Sequence, residues 1–278
     1  VDGTRDDDEA QTTSNDAGYF FLDVASDPQA LNGQRLVAVG GTDSLTNLEL
    51  DGFVLSAKIT TKPFDVAQIN ALTTILDLAE IEGSTESILN GFGVTAAPDT
   101  VLKNGFWQGF ETGDLDARSA AAANVILSNI LAISDDLADE GDAFFTARSS
   151  LSKHLVEIAV VGDDPVLTNE ASLASVMGSV DEFSLASAQS QAIAESLSLL
   201  NPVIAEQFSV SVDGAPEELV SALQTSFRQS VLDLASGDTN VSDFLSSTRP
   251  EVIFANVPVS SLSVDSDGDG VGDEIDSD

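Results

Sequence analysis

Residues 120–137 read AAAANVILSNILAISDDL, and this stretch determines how the middle of the chain folds. Four large apolar side chains in it recur at intervals of three or four residues, which places them on one face of an α-helix. They are Ile126, Ile130, Ile133 and Leu137. Asp116, one turn upstream of the alanines, is a suitable N-cap. The stretch therefore predicts a helix whose apolar face lies in a core.

The same spacing recurs later in the chain. One apolar face comprises Leu151, Leu155 and Ile158, and another comprises Leu219, Leu223, Phe227, Val231 and Leu234. Pro216-Glu217-Glu218 is typical of a first helical turn, and Asn201-Pro202 predicts a break or kink in a long helix. Residues 62–250 are thus predicted to form six or seven helices, packed as an irregular bundle.

The segments on either side of the helical region alternate apolar and polar residues, as strands do. In residues 1–61 the predicted strands are 19–24, 35–39 and 53–59. Residues 251–264 alternate again and predict a strand that returns to a sheet, and residues 265–278 are acidic and glycine-rich. The sequence therefore predicts an α+β chain in three parts, 1–61, 62–250 and 251–278.

The chain has 10 basic and 47 acidic residues, a formal net charge of −37. Because this field repels phosphate backbones and anionic membranes, we expect no nucleic acid partner and no membrane insertion. Divalent cations are natural counter-ions, although adaptation to salty water would give the same composition. The lack of cysteine fits a secreted, extracellular bacterial protein held together by packing and metal. We expect no stretch long and apolar enough to span a bilayer.

Residues 265–276, DSDGDGVGDEID, have the spacing of a calcium-binding loop. The first, third and fifth ligand positions are taken by Asp265, Asp267 and Asp269. Gly270 takes the sixth, where the chain turns sharply. The seventh, ninth and twelfth are taken by Val271, through its carbonyl, and by Asp273 and Asp276. All these donors are hard oxygens, which favours Ca²⁺ over soft metals. A solvated acidic tail is the alternative interpretation.

The first nine residues, VDGTRDDDE, fit the second half of such a loop. Asp2 and Gly3 would be its fifth and sixth positions, and Thr4 would offer its carbonyl. Asp6 and Glu9 would be the ninth and twelfth. The first and third ligands would precede Val1, and an ordinary acidic turn remains the alternative.

Both acidic segments carry resemblances to known families. Residues 265–276 closely resemble the thrombospondin type 3 calcium repeat, which links modules in many bacterial surface proteins. Residues 12–22, TTSNDAGYFFL, follow the N-terminal acidic segment. The N-terminal acidic segment and residues 12–22 together resemble the transthyretin-like modules of bacterial surface proteins. These modules include the collagen-adhesin B-type and the carboxypeptidase-regulatory-like domains. This resemblance implies a small, incomplete β-sandwich over residues 1–61, because in that family a strand precedes the acidic loop. The missing strand implies an open sheet edge or a strand supplied from elsewhere.

Candidate catalytic residues are few. His154 is the only histidine and no Gly-x-Ser-x-Gly motif accompanies it, so we expect no Ser–His–Asp triad. A carboxylate pair would suit hydrolysis, but nothing singles out one pair among 47 acids. Trp107 lies in the glycine-flanked segment GFWQGF, residues 105–110, predicted to be a loop that either connects helices or stacks on a sugar.

The sequence as a whole predicts a non-enzymatic, calcium-binding structural or adhesive part of a bacterial cell-surface assembly, such as a matrix, surface layer, filament or large adhesin. The expected partners are further copies of the chain in a homo-oligomer, or neighbouring modules of the same surface protein. A polysaccharide-binding module built around Trp107 is the first alternative. An extracellular polymer hydrolase is the second.

Overall fold

The computed structural model describes residues 11–14, 20–21, 33–42, 53–59, 68–79, 84–138, 142–162, 164–210 and 217–255. Of these residues 70% are helical, and the remainder include one small antiparallel sheet of two strands. The predicted mixture of a helical region with a smaller β part is therefore confirmed at this level.

The two strands lie where the alternating pattern predicted them. They are β1 (Arg35–Val39) and β2 (Val54–Lys58). They pair antiparallel, with Arg35 opposite Lys58 and Val39 opposite Val54. The third predicted strand, residues 19–24, lies outside the described residues except for Phe20 and Phe21, which belong to no strand.

The helices follow in chain order. They are α1 (Ala71–Ala79), α2 (Thr85–Gly91), α3 (Trp107–Glu111), α4 (Leu115–Leu137), α5 (Asp142–Val161), α6 (Glu170–Ser179), α7 (Ser187–Val210), α8 (Glu217–Ala222), α9 (Arg228–Ser236), α10 (Val241–Ser247) and α11 (Pro250–Ile253). Two π-helical turns, Thr100–Asn104 and Leu223–Phe227, and a 3-10 turn, Asp181–Phe183, lie between them. The described ranges thus contain eleven α-helices, and the prediction of six or seven is wrong. Helices of four to seven residues are too short to display an apolar repeat over two turns.

Helix α4 forms the centre of the bundle, in contact with α1, α3, α5, α7 and α9. Ile126, Ile130 and Ile133 are at most 3% exposed and Leu137 is partly buried, which confirms the predicted apolar face. The predicted N-cap is wrong, because Leu115 is already helical. Asp114 caps the helix instead, and its carboxylate accepts hydrogen bonds from the amides of the second and third helical residues.

The other two predicted apolar faces are also buried. Leu151 and Leu155 are fully buried and Ile158 is partly buried. In the C-terminal set, from Leu219 to Leu234, every member is at most 1% exposed. Most of its steps are four residues long, so in a pure α-helix its face would drift by about 40° per step. The π-helical turn at Leu223–Phe227 has more residues per turn and counters that drift.

Two local predictions are corrected. Helix α7 runs through Pro202 without interruption, so the predicted break is wrong, and the alternative of a kink stays a prediction. Neighbouring Asn201 is buried, and its Nδ2 donates to the Leu167 carbonyl at 2.5 Å, which fixes this part of the helix to the loop between α5 and α6. The strand predicted from Glu251 is also wrong at its start, because Pro250 opens helix α11 there. Residues 256–264 lie outside the described ranges.

By length and composition, one described helix could cross a membrane. Helix α4 has 23 residues and a mean hydropathy of 1.2 over its most apolar window, so the expectation of no such stretch is wrong. In this fold, 72% of that window is buried against other helices. Core helices of soluble proteins pass the same test, and the apolar character of α4 is explained by its central position.

Candidate functional site

A buried guanidinium joins the β-hairpin to the helical bundle. Arg148 on α5 is only 1% exposed, and its Nε and Nη2 donate to the two carboxylate oxygens of Asp135 on α4. Its Nη1 donates to the main-chain carbonyl of Val54 on β2, and its guanidinium carbon lies 5.2 Å from the centre of the Phe53 ring. A buried charge is tolerated only with a counter-ion and satisfied hydrogen bonds, and this arrangement supplies both.

Burial has the largest effect on the pKa of Asp135. Desolvation raises the pKa of Asp135 from its ordinary 3.8 to about 6, and the hydrogen bond and charge of Arg148 only partly oppose that rise. Neighbouring Asp136 raises the pKa slightly further, and Arg228 lowers it. A perturbed carboxylate is a candidate functional group, but structural ion pairs perturb pKa values in the same way.

A second ion pair lies beside the first. Arg228 of α9 donates through Nε and Nη2 to the two carboxylate oxygens of Asp136, both at 2.8 Å. About a quarter of the arginine side chain and a fifth of the aspartate side chain are exposed. Consecutive aspartates at the C-terminal end of α4 thus bind arginines from two different helices.

A third buried carboxylate contacts both strands. The side chain of Asp77 on α1 is 1% exposed. One of its oxygens, Oδ2, lies 2.5 Å from Nε of Arg35 on β1 and accepts a hydrogen bond from the Ser56 hydroxyl on β2 at 2.7 Å. Asp77 therefore fixes the position of the hairpin on α1.

The predicted metal ligands are not among the positioned side chains. Asp265, Asp267, Asp269, Val271, Asp273 and Asp276 lie outside the described residues, as do Asp2, Thr4, Asp6 and Glu9. Within the ranges that the structure describes, no three His, Cys, Asp or Glu side chains are grouped so as to hold a metal ion. The calcium sites therefore stay predictions.

Trp107 begins helix α3, so the prediction of a loop there is wrong. The indole is 42% exposed, whereas Phe106 and Phe110 on either side are 2% exposed. It packs edge-on against Phe110, with ring centres 5.8 Å apart, and lies 5.2 Å from the Phe106 ring. Phe110 in turn contacts Phe208 of α7 at 5.5 Å. The two buried rings therefore hold an indole at the surface with much of its area available to solvent.

His154 is a partly exposed residue of α5. Its Nδ1 lies 3.5 Å from a carboxylate oxygen of Glu157, less than one turn along the same helix. This is an ordinary i, i+3 surface pair.

Sequence reasoning missed Arg148, Asp135 and Asp77. A signal was present, because Arg148 precedes Leu151 and Leu155 at helical spacing and so occupies an apolar-face position. Asp77 likewise interrupts the apolar segment ALTTILDLA of α1. Charged residues at core positions indicate buried ion pairs.

Comparisons with known proteins add no family assignment. No protein-family model, no curated protein and no solved structure matches the chain.

Proposed function

We propose that the chain is a secreted, calcium-binding structural segment of a bacterial cell-surface assembly, and not an enzyme. The observation that carries this proposal is the oxygen-donor spacing of residues 265–276. Five aspartates and one glutamate in so short a segment repel one another unless a cation neutralises them. Calcium would therefore order this segment and stiffen the connection to a following module.

The net charge and the described core are consistent with this role. A charge of −37 on a chain with a well-packed helical core indicates a folded protein with a strongly anionic surface. Calcium between acidic segments of successive modules or copies would screen their repulsion. The proposal therefore includes homo-oligomers or neighbouring modules as partners. It also includes the finer interpretation of residues 1–61 as an incomplete transthyretin-like sandwich.

Isothermal titration of the full chain with CaCl₂ tests the proposal. The wild type should bind calcium with a dissociation constant of about 10⁻⁴–10⁻³ M or tighter, the range of extracellular calcium modules. The triple variant Asp265→Asn, Asp267→Asn and Asp269→Asn should lose this binding, because amide oxygens carry no charge.

A matched control removes the same number of charges elsewhere. Glu111→Gln, Asp164→Asn and Glu206→Gln change three exposed side chains outside the acidic segments. This control should bind calcium as the wild type does. Equal isotherms for the wild type and the Asp265 triple variant would refute the site, and an equal loss in both variants would indicate only diffuse counter-ion binding.

A second candidate function rests on Trp107. An indole that is 42% exposed and fixed by two buried rings is suited to stacking on the apolar face of a sugar. The negative field of the chain would repel acidic glycans, so the proposed ligand is an uncharged polysaccharide.

Affinity electrophoresis in gels containing neutral polysaccharides tests this second function. Trp107→Ala should abolish any retardation, and Trp107→Phe should retain part of it. Leu199→Ala is the control, because it removes an apolar side chain that is 49% exposed on a different helix. Retardation that survives in Trp107→Ala, or none in the wild type, would count against the site.

A further inference from the structure

Strand β2 is bound along both of its edges. On one edge it pairs with β1, as the bonds from the Ile59 amide to Gln34 and from the Gly40 amide to Phe53 show, both 2.8 Å long. In an antiparallel pair, alternate residues direct their main-chain groups to the opposite edge. Val54 and Ser56 therefore present their amides and carbonyls away from β1.

Side chains from two helices occupy that second edge. The Ser56 amide donates to the Thr74 hydroxyl at 2.9 Å, and the Ser56 carbonyl lies 3.2 Å from the hydroxyl oxygens of both Thr73 and Thr74. Two residues before Ser56 on the same edge, the Val54 carbonyl accepts a hydrogen bond from Nη1 of Arg148. Helices α1 and α5 thus provide the hydrogen-bonding partners that a third strand would provide.

These contacts are buried, which makes them costly to break. Ser56, Thr73, Thr74 and Arg148 are each at most 4% exposed. If β2 moved away from the helices, its main-chain groups could bind water, but the Arg148–Asp135 pair would lose a partner and the apolar surface around it would be exposed. Opening the hairpin alone therefore disturbs the bundle core.

We infer that the hairpin β1–β2 and the helical bundle form a single cooperative folding unit, joined by an edge latch. The edge latch consists of the Val54 and Ser56 main chain together with the side chains of Thr73, Thr74 and Arg148. The division of the chain predicted at residue 61 is then no boundary between folding units. A load applied to the strands passes through the edge latch into α1 and α5. The inference does not depend on calcium.

Hydrogen–deuterium exchange of the full chain tests the inference at fixed pH without calcium. The Ile59 amide reports on the hairpin and the Ile130 amide on the centre of α4. In a single unit both exchange through global unfolding, so their protection factors should agree within about tenfold. Both should also fall with the same slope as denaturant is added. A hairpin amide that exchanges more than tenfold faster, or with a shallower slope, would overturn the inference.

A remote destabilising substitution provides a second measurement. Phe244 of α10 is fully buried and packs on Phe227, far along the chain from the hairpin. Phe244→Leu should lower protection at Ile59 and Ile130 by the same factor, because both depend on the same global equilibrium. If only Ile130 loses protection, the hairpin opens independently and the inference is wrong.

Thr74→Val tests the edge latch itself. Valine keeps the shape of the side chain and removes its hydroxyl, so protection at both amides should fall by about tenfold. Thr225→Val is the matched control, since the Thr225 hydroxyl is exposed and bonds only within its own helix. If the two substitutions have equal effects, the edge latch contributes nothing to the coupling.

Discussion

Replacing Asp135 with Asn removes the carboxylate whose pKa is raised by burial beside Arg148. The substitution is nearly isosteric, so it changes the charge and proton binding of this position more than its packing. The substitution therefore isolates the contribution of one buried carboxyl group to the pH dependence of the free energy of unfolding. The quantity of interest is the unfolding free energy of the wild type minus that of Asp135→Asn, followed as a function of pH.

The sign follows from proton linkage. The folded-state pKa of Asp135 is about 6 and its ordinary value is 3.8, so the folded protein binds the proton more tightly than the unfolded chain does. The contribution of Asp135 to stability is therefore greatest below pH 4, declines as the pH rises through the interval from 3.8 to 6, and is constant above it. A shift of this size corresponds to about 3 kcal/mol in total, of which about 2 kcal/mol falls between pH 4.5 and 7.5.

Urea denaturation at constant ionic strength measures the effect. Urea is uncharged, and starting at pH 4.5 keeps the chain negatively charged. The subtraction of Asp135→Asn matters because general charge repulsion also weakens as the pH falls, and it does so in both proteins. If Asp135→Asn is too unstable to measure, the carboxyl NMR signal of Asp135 in the wild type should titrate near pH 6.

The opposite slope would refute the reasoning. If the attraction of Arg148 outweighed desolvation, the pKa of Asp135 would lie below 3.8 and the difference would rise with pH. A flat difference would also refute it, because it would show that desolvation and the attraction of Arg148 cancel and leave the pKa of Asp135 near 3.8.

Three further predictions concern local packing, each measured by chemical denaturation. Gly91→Ala should destabilise the protein by about 2–3 kcal/mol, because the added Cβ would lie 2.1 Å from the Ala159 carbonyl oxygen. The Cβ added in Gly178→Ala has no neighbour within 4 Å, so this substitution should stabilise the protein by about 0.5–1 kcal/mol. Asp114→Ala should cost about 1 kcal/mol by removing the N-cap of α4, and Asp114→Asn should restore most of it. Pro202→Ala should stabilise by about 1–3 kcal/mol, because it returns an amide donor to the interior of α7.

Much of the fold was predictable because its signals are local. The apolar faces of α4, α5 and α8–α9 follow from spacing near 3.6 residues, and the two strands follow from alternation with a period of two. The short helices were not predictable. The GFWQGF segment has aromatic residues at positions 106, 107 and 110, and only its packing shows that 106 and 110 are buried while Trp107 is exposed.

The candidate site could be predicted only in part. The proposed calcium ligands follow from the spacing of oxygen donors in a contiguous segment, and that spacing is visible in the sequence without a fold. The edge latch joins residues remote in the chain, since Arg148 is 94 positions from Val54 and Thr74 is 18 positions from Ser56. No local sequence pattern predicts which carbonyl or carboxylate will accept hydrogen bonds from a buried arginine.

The helical faces, the positions of the two strands and the anionic character of the chain follow from the amino-acid sequence alone, because each depends on neighbouring residues or on composition. Only the packed fold shows which charges are buried and that α7 continues through Pro202. These outcomes depend on the balance between desolvation and contacts supplied by distant segments, and that balance is settled only when the helices and the hairpin pack together.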